Sequence, residues 1–356
     1  MVRPVISKRK IEEFRAAFTG GEIDTLVAVY RRAAAEALTI LSDAAETLGS
    51  RRRAQALLRQ YHQVLSELHD ESAAWISANV PEAYQAGVAF GDQGVKGVRR
   101  AGINLGKPQK AVFAQVHREA VAAIVQEMQG VTDAALAQIG RRVDDVFRKV
   151  GVQEVARGIA EGKTRLEVGR QIESRLVAEG QLKFTTKPWK DRYGKFHKGQ
   201  DWDLDRYTEM VARTTTRQAM TEGTVNRLAE HNIQLAQVSA HNAADFCIYY
   251  ENVVVSLTGE TESGYPPLSA INGGPPFHPN CAHVLTPFVL ALATSKEQAA
   301  GKIEPELLDE TPAMLQRRFT KQFPARARAE GKRIRQEGAI TRRLRERRER
   351  RAKAVA

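Results

Sequence analysis

Apolar side chains recur every three or four residues along most of the first 180 positions. Tyr61, Val64 and Leu68 follow this spacing, which is the spacing of one face of an α-helix. Further stripes of the same kind comprise Leu26, Tyr30 and Ala37, then Val112, Val116 and Val121, and then Leu136, Ile139 and Val143. Such helices bury their apolar faces against one another, so the pattern predicts a helical bundle or an elongated helical array over residues 1–180.

Glycine and proline mark the predicted ends of these helices. The predicted breaks are Gly20-Gly21, Gly49, residues 102–108 and Gly130. Between residues 5 and 187 the only prolines are Pro81 and Pro108, whereas residues 266–287 contain six. Long helices are therefore expected in the first half, and the proline-rich stretch is predicted to be an irregular loop beside short strands.

The pattern changes after residue 180. Aromatic and basic residues are interspersed over residues 181–207, which predicts a hairpin or an extended loop packed on the helices. Stacking on single-stranded nucleic acid is the alternative, and the aspartates of this segment disfavour it because they would repel phosphates. A helix is predicted from Tyr207 to His231. Short strands are predicted over residues 233–240, over residues 246–257 as a hairpin, and over residues 281–290.

The predicted fold class is mostly α. Residues 1–180 are predicted to form the helical region, and residues 181–294 a small α+β module with short antiparallel strands. Residues 295–356 are predicted to contain a C-terminal helix, broken by Pro305 and Pro312, and a basic tail that is helical or disordered.

The net charge of +12 is confined to the C-terminal part of the chain. Residues 317–356 contain 16 Lys and Arg against 4 Asp and Glu, and residues 1–316 contain 38 of each sign. This C-terminal stretch has only four aliphatic residues larger than alanine, too few to anchor a core, so we predict a solvated arm. Its densest part is predicted to bind DNA or RNA without sequence preference, because cationic side chains release counterions from phosphates. The residues concerned are Arg342, Arg343, Arg345, Arg347, Arg348, Arg350, Arg351 and Lys353.

Composition excludes several classes of protein. No run of eighteen uncharged apolar residues exists, so no membrane span is expected, and the first residues lack the apolar core of a signal peptide. Two cysteines are too few for the several disulfides that stabilise a small secreted protein, so this class is excluded.

The chain's two cysteines belong to one constellation of metal-ligating residues. Cys247 lies in a predicted strand, and His278, Cys281 and His283 lie within six residues of one another. If Cys281 and His283 lie on a strand, their side chains point to the same side. These four residues form a chemically sound ligand set for a structural zinc ion. Packing held by hydrogen bonds and a Cys247–Cys281 disulfide are the alternatives.

Catalytic motifs are weak in this sequence. It has no HExxH motif and no zinc-deaminase signature. A metal-dependent nuclease or another enzyme that uses His278 and Cys281 is one alternative function, and a DNA-binding regulator is another. We predict that the protein is not an enzyme and has no small-molecule substrate.

A series of motifs resembles one known family. MVARTTTRQA over residues 210–219 is followed by Asp245-x-Cys247 and then by PPFHPNCAHVLTP over residues 275–287. In this order they resemble the C-terminal half of phage minor capsid proteins, also called Mu F-like head-morphogenesis proteins, over about residues 185–290. Tyr250 stands where relatives commonly have a further cysteine, so a set of four cysteine ligands is not available here.

The resemblance implies a low-copy structural protein of a tailed-phage or prophage head. Such proteins associate with the portal and with the inner face of the capsid, and they act during assembly or DNA delivery. The expected partners are therefore the portal or major capsid protein and packaged DNA. The expected location is the virion interior, and the host cytoplasm during assembly.

Overall fold

A computed structural model describes most of the chain. The described residues are 5–16, 21–47, 51–161, 167, 183–186, 188–190, 196–271, 281–329 and 331–332. The described residues are mostly helical, which confirms the predicted mostly α class. It divides into two units: a helical unit, Ser7–Gln93 and Lys107–Glu230, and a sheet unit, Met1–Ile6, Gly94–Gly106 and His231–Ala356. The predicted division at residues 180 and 294 stays a prediction.

Long helices build the helical unit. They are α1 (Lys8–Ala16), α2 (Gly21–Thr47), α3 (Arg51–Arg100), α4 (Lys110–Ala160) and α5 (Leu204–Glu230), and the end of α3 from Gly94 belongs to the sheet unit. Helix α5 packs against α2 and α4. Within the described residues, no helix is both long and apolar enough to cross a membrane.

Most of the predicted apolar stripes form the core of the helical unit. Tyr30, Tyr61 and Leu68 are buried, and so is the stripe that begins at Leu136. The stripe assigned to Val112 is wrong at its start, because Val112 is 60% exposed. Met128, at the end of the same predicted stripe, is buried as predicted, and Ile124 joins it on the buried face of this helix. The predicted break at Gly130 is also wrong, since α4 continues through it, whereas residues 101–109 do separate α3 from α4.

Glycines allow α3 and α5 to touch backbone to backbone. A Cβ atom at Gly223 would lie 2.2 Å from the carbonyl oxygen of Tyr84, and one at Gly87 would lie 2.0 Å from that of Met220. Thr224 on α5 donates a hydrogen bond of 3.0 Å to the carbonyl oxygen of Gly87. A side chain at either glycine would force the two helices apart, because the atoms it meets belong to the backbone and cannot rotate away.

A buried polar network also links the helices of this unit. The hydroxyl of Tyr84 lies 2.7 Å from Nδ1 of His117 and accepts a hydrogen bond of 2.9 Å from Asn226. Nε2 of His117 lies 3.3 Å from Glu230, which also pairs with Arg227 at 2.5 Å. Burial raises the pKa of Tyr84 to about 12. The tyrosine therefore remains protonated at neutral pH and fixes α3 against α4 and α5 through hydrogen bonds.

The aromatic and basic segment folds into short antiparallel pairs before α5. Strands β1 (Lys183–Thr185) and β4 (Asp201–Asp203) pair with Phe184 opposite Trp202, and β2 (Trp189–Lys190) pairs with β3 (Phe196–His197). This arrangement agrees with the predicted hairpin. Stacking of these aromatic residues on single-stranded nucleic acid stays an untested alternative.

The sheet unit contains a three-stranded antiparallel sheet with β5 at its centre. The order is β6 (Val254–Ser256), β5 (Leu235–Val238) and β7 (Leu285–Phe288). Pro287 lies opposite Ala236 on the edge strand β7, where a residue without an N–H group is tolerated. The predicted hairpin over residues 246–257 is wrong, because residues Phe246–Tyr250 form a 3₁₀ helix and only the end of the segment forms a strand.

Short helices follow the sheet, interrupted as predicted at both prolines. Helix α6 (Ser295–Ala300) starts at a capping box in which Thr294 and Glu297 exchange hydrogen bonds, and α7 (Pro305–Asp309) and α8 (Pro312–Gln322) each begin with proline. The prediction that a solvated tail begins at residue 317 is wrong for its first residues. Phe319 on α8 is fully buried, and the prediction missed it because it considered only aliphatic residues.

Alanine is expected to have opposite effects at two glycines, one inside the contact between α3 and α5 and one outside it. Gly223→Ala should lower the free energy of unfolding by about 1–3 kcal/mol, because the new methyl group overlaps the backbone of Tyr84. Gly130→Ala is the matched control: Gly130 lies inside α4 with open space where a Cβ atom would stand, so alanine should stabilise by about 0.5–1 kcal/mol. Urea unfolding followed by circular dichroism measures both. Equal stabilisation in the two variants would contradict the backbone contact.

Candidate functional site

The candidate site lies in the sheet unit, between the 3₁₀ helix and the segment that leads into β7. Asp245 begins the 3₁₀ helix by accepting a hydrogen bond of 2.9 Å from the backbone N–H of Cys247. This cap turns the side chain of Cys247 inward, where it packs with Ala243 and Cys281 in a small apolar cluster. The motif residue Asp245 therefore has a structural function in presenting the first cysteine.

The segment before β7 supplies the other two side chains. Cys281 and His283 precede the strand, which begins at Leu285, so the prediction that they share a strand face is wrong. They contact each other directly instead: the backbone N–H of His283 donates a hydrogen bond of 3.5 Å to Sγ of Cys281, and Nδ1 of His283 lies 3.1 Å from the same sulfur. Ser239 anchors this segment by accepting a hydrogen bond of 3.0 Å from the backbone N–H of Val284.

Three of the four residues predicted as metal ligands converge. The ligating atoms of Cys247, Cys281 and His283 all lie within 4.8 Å of one another, and all three residues are buried. Both cysteines are free thiols. The fourth predicted ligand, His278, lies outside the described residues, as do the eight predicted nucleic-acid-binding residues between Arg342 and Lys353.

The two thiols have opposite tendencies to ionise. A hydrogen bond from Cys247, supported by His283, lowers the pKa of Cys281, whereas the same hydrogen bond and burial raise the pKa of Cys247. One negative charge is thus favoured on the Cys281 sulfur, where a thiol donor and an imidazole stabilise it. A thiolate beside an imidazole in a buried cluster can bind a soft metal ion or hold the fold through hydrogen bonds.

Sequence reasoning missed two residues of the cluster, His241 and Glu251. Oε1 of Glu251 accepts hydrogen bonds from the backbone N–H groups of His241 (2.9 Å) and Ala243 (2.8 Å). The same oxygen lies 3.6 Å from Nε2 of His283, and the ring of His241 packs against the His283 ring with centroids 4.3 Å apart. No spacing rule connects these residues, since they come from separate loops that only the tertiary fold brings together.

Comparison with known families identifies the chain. The sequence model of phage minor capsid protein 2 matches residues 21–353, which is nearly the whole length. The chain belongs to the phage minor capsid protein 2 family. The resemblance predicted from about residues 185–290 is therefore confirmed and extends over both units. Neither a curated protein nor a solved structure matches the chain.

Family membership gives this minor capsid protein a structural role in the phage head. It implies other capsid proteins as partners and associates the chain with the virion. The Cys–His cluster and its supporting residues Asp245 and Glu251 are then parts of a capsid component.

The hydrogen bonds of Glu251 predict a loss of stability on truncation. Glu251→Ala should lower the free energy of unfolding by about 1–3 kcal/mol, because two backbone N–H groups lose their acceptor. Glu260→Ala is the control, since Glu260 is exposed on the following turn, and its effect should stay within about 0.5 kcal/mol. Chemical unfolding of both variants checks this. Indistinguishable values would refute the structural importance of Glu251.

Proposed function

We propose that this minor capsid protein docks on portal or major capsid subunits through its helical region, residues 1–180, and contacts packaged DNA through its C-terminal basic residues. In this proposal it lies in the capsid interior near the portal of a tailed phage or prophage, and in the host cytoplasm during assembly. One observation carries the proposal beyond the family: the whole net charge of +12 belongs to residues 317–356.

The charge distribution separates two kinds of contact. DNA attracts cationic side chains through its phosphates, and the attraction weakens as salt competes for them. The first 316 residues carry 38 charges of each sign and so offer no net attraction to a polyanion. DNA binding is therefore assigned to the basic C-terminal residues, and the helical region is left for contacts with other proteins.

The long helices support protein contact as the task of the helical region. Helices α3 and α4 contain 50 and 51 residues, so each extends for about 75 Å at 1.5 Å per residue. Their buried faces already pack against other helices, and the described side chains of their outer faces are mostly polar or charged, with Val112 as an exposed large apolar residue. Surfaces of this length suit docking along a capsid or portal subunit.

Burial of the Cys–His cluster supports a structural role for it. Cys247 is 1% exposed and Cys281 is 5% exposed. A catalytic nucleophile must reach its substrate, whereas a structural cluster gains from exclusion of water. We therefore propose that the protein carries out no catalytic turnover at this site.

The basic C-terminal residues predict salt-dependent DNA binding that a short truncation removes. The truncation should end at residue 332, because cutting at 317 would delete Phe319 from the core. The deleted segment, residues 333–356, holds ten Lys and Arg against three Asp and Glu. Fluorescence anisotropy with duplex DNA should show tight binding by the full chain that weakens steeply with salt, and little binding by the truncated chain.

A second variant separates charge from chain length in this experiment. Replacing the eight basic residues between Arg342 and Lys353 by glutamine should make the slope of log K against log salt shallower by up to about 7, since each phosphate contact contributes about 0.9. Lys110→Gln with Arg118→Gln, two exposed positions on α4, is the control and should leave the slope unchanged. Unchanged binding by the glutamine variant, or DNA cleavage that depends on His278 and divalent ions, would contradict the proposal.

Docking through the helical region predicts where a capsid partner protects the chain. Hydrogen–deuterium exchange of the full chain, alone and with purified portal or major capsid protein, should show slower exchange within residues 1–180. The chain truncated after residue 332 should show the same protection, because DNA contact and docking use different parts of the sequence. Protection confined to residues 181–294 would overturn the assignment of docking to the helices.

A further inference from the structure

Three ligating atoms of the sheet unit lie close enough together for a metal site. In a tetrahedral zinc site with Zn–S near 2.3 Å and Zn–N near 2.0 Å, neighbouring ligand atoms lie about 3.5–3.8 Å apart. The sulfurs of Cys247 and Cys281 and a ring nitrogen of His283 all lie within 4.8 Å of one another, with Nδ1 of His283 3.1 Å from the Cys281 sulfur. Small adjustments of these side chains would bring all three atoms into coordination distance of one ion.

The other nitrogen of His283 supplies an independent observation. Nε2 of His283 is buried and makes no hydrogen bond within the described part of the chain, although a buried polar atom without a partner is costly. Oε1 of Glu251 lies 3.6 Å from it. A metal ion on Nδ1 places the ring proton on Nε2, which then points at this carboxylate. Carboxylates orient zinc-binding imidazoles in this way.

A second group of possible ligands shares His283, so the two groups must be distinguished. His241, Glu251 and His283 also offer ligating atoms within 4.8 Å of one another. Oε1 of Glu251, however, already accepts hydrogen bonds from the backbone N–H groups of His241 and Ala243. Because this oxygen already accepts two hydrogen bonds from the loop, we expect it to orient His283 and not to coordinate the ion. Thiolates together with imidazole are also the ligands that zinc prefers over a carboxylate set.

We propose that Cys247, Cys281 and Nδ1 of His283 bind a structural zinc ion, and that Glu251 is a positioning residue that orients His283 through Nε2. The ion ties the 3₁₀ helix Phe246–Tyr250 to the segment that enters β7. The sequence-based ligand set also includes His278, which lies outside the described residues. The proposal concerns the three described ligands and is independent of the docking and DNA contacts proposed above.

Metal analysis of the full chain tests the ligand set. The protein is expressed with added zinc, purified under reducing conditions without chelators, and analysed by inductively coupled plasma mass spectrometry. We expect about one zinc ion per chain in the wild type and its loss in Cys247→Ser and in Cys281→Ser. His241→Phe is the matched control: it keeps an aromatic ring against His283, removes the ring nitrogens, and should retain the metal.

Glu251→Gln tests the positioning role separately from stability. The glutamine carbonyl oxygen can still accept the hydrogen bonds from His241 and Ala243, so the loop should keep its structure. Zinc affinity, measured by competition with a chromophoric chelator, should fall about 10–100-fold, as it does when such supporting carboxylates are removed. The free energy of unfolding of the metal-free form should change little. A purely structural role for Glu251 predicts instead that a variant of unchanged stability also keeps its zinc affinity.

Several results would overturn the proposal. If both serine variants retain zinc and His241→Phe loses it, the ion binds to His241, Glu251 and His283 instead. Wild-type protein that contains no zinc, or a Cys247–Cys281 disulfide in its place, would refute the site. If the serine variants fail to fold, cobalt substitution of the wild type decides: absence of thiolate-to-cobalt charge-transfer absorption would exclude the two sulfurs as ligands.

Discussion

The contact between the Cys281 sulfur and the His283 ring is the interaction on which the sheet unit depends. Its strands are only three or four residues long, and its two cysteines pack with Ala243 in a small cluster of their own. Two thiols and an imidazole are nevertheless buried there, so each must find a partner within the cluster. Glu251 supplies the support from the other side of the ring. The segment that holds Cys281 and His283 is thereby fixed against the 3₁₀ helix.

The helical unit is held by a different constraint. There the backbones of α3 and α5 approach at Gly87 and Gly223, and a hydroxyl of Thr224 bonds to the opposite backbone. The polar network around Tyr84 and Glu230 then fixes the orientation of the helices within this unit. Such contacts specify one arrangement of helices among the many that their apolar stripes would permit.

Charge is segregated along the chain in a way that suits a capsid component. The first 316 residues carry 38 charges of each sign, and the cationic excess begins within a helix whose Phe319 is buried in the core. The basic residues from Arg333 onward lie outside the described part of the chain.

Local periodicity determined a large part of this fold in advance. The stripes at Tyr61 and Leu136, the strands near Leu235 and Leu285, and the helices started by Pro305 and Pro312 follow from neighbours in the sequence, because helix and strand spacings are local properties. The order of motifs from Arg213 to Cys281 likewise determined the family. Contacts between residues distant in the sequence could not be predicted in this way. Gly130 continues a helix because nothing nearby requires a break. Phe319 is buried by contacts that a count of neighbouring aliphatic residues does not reveal.

The cluster shows the same division. The sequence alone determined that Cys247, Cys281 and His283 are chemically suited to one site, because their side chains are soft or imidazole ligands. Only the tertiary structure decided that they meet between a 3₁₀ helix and the segment that leads into β7, and that Glu251 and His241 join them. The physical reason is that residues in separate loops have no periodic relation, so their proximity depends on how β5 and β7 pair and where the intervening loops must pass.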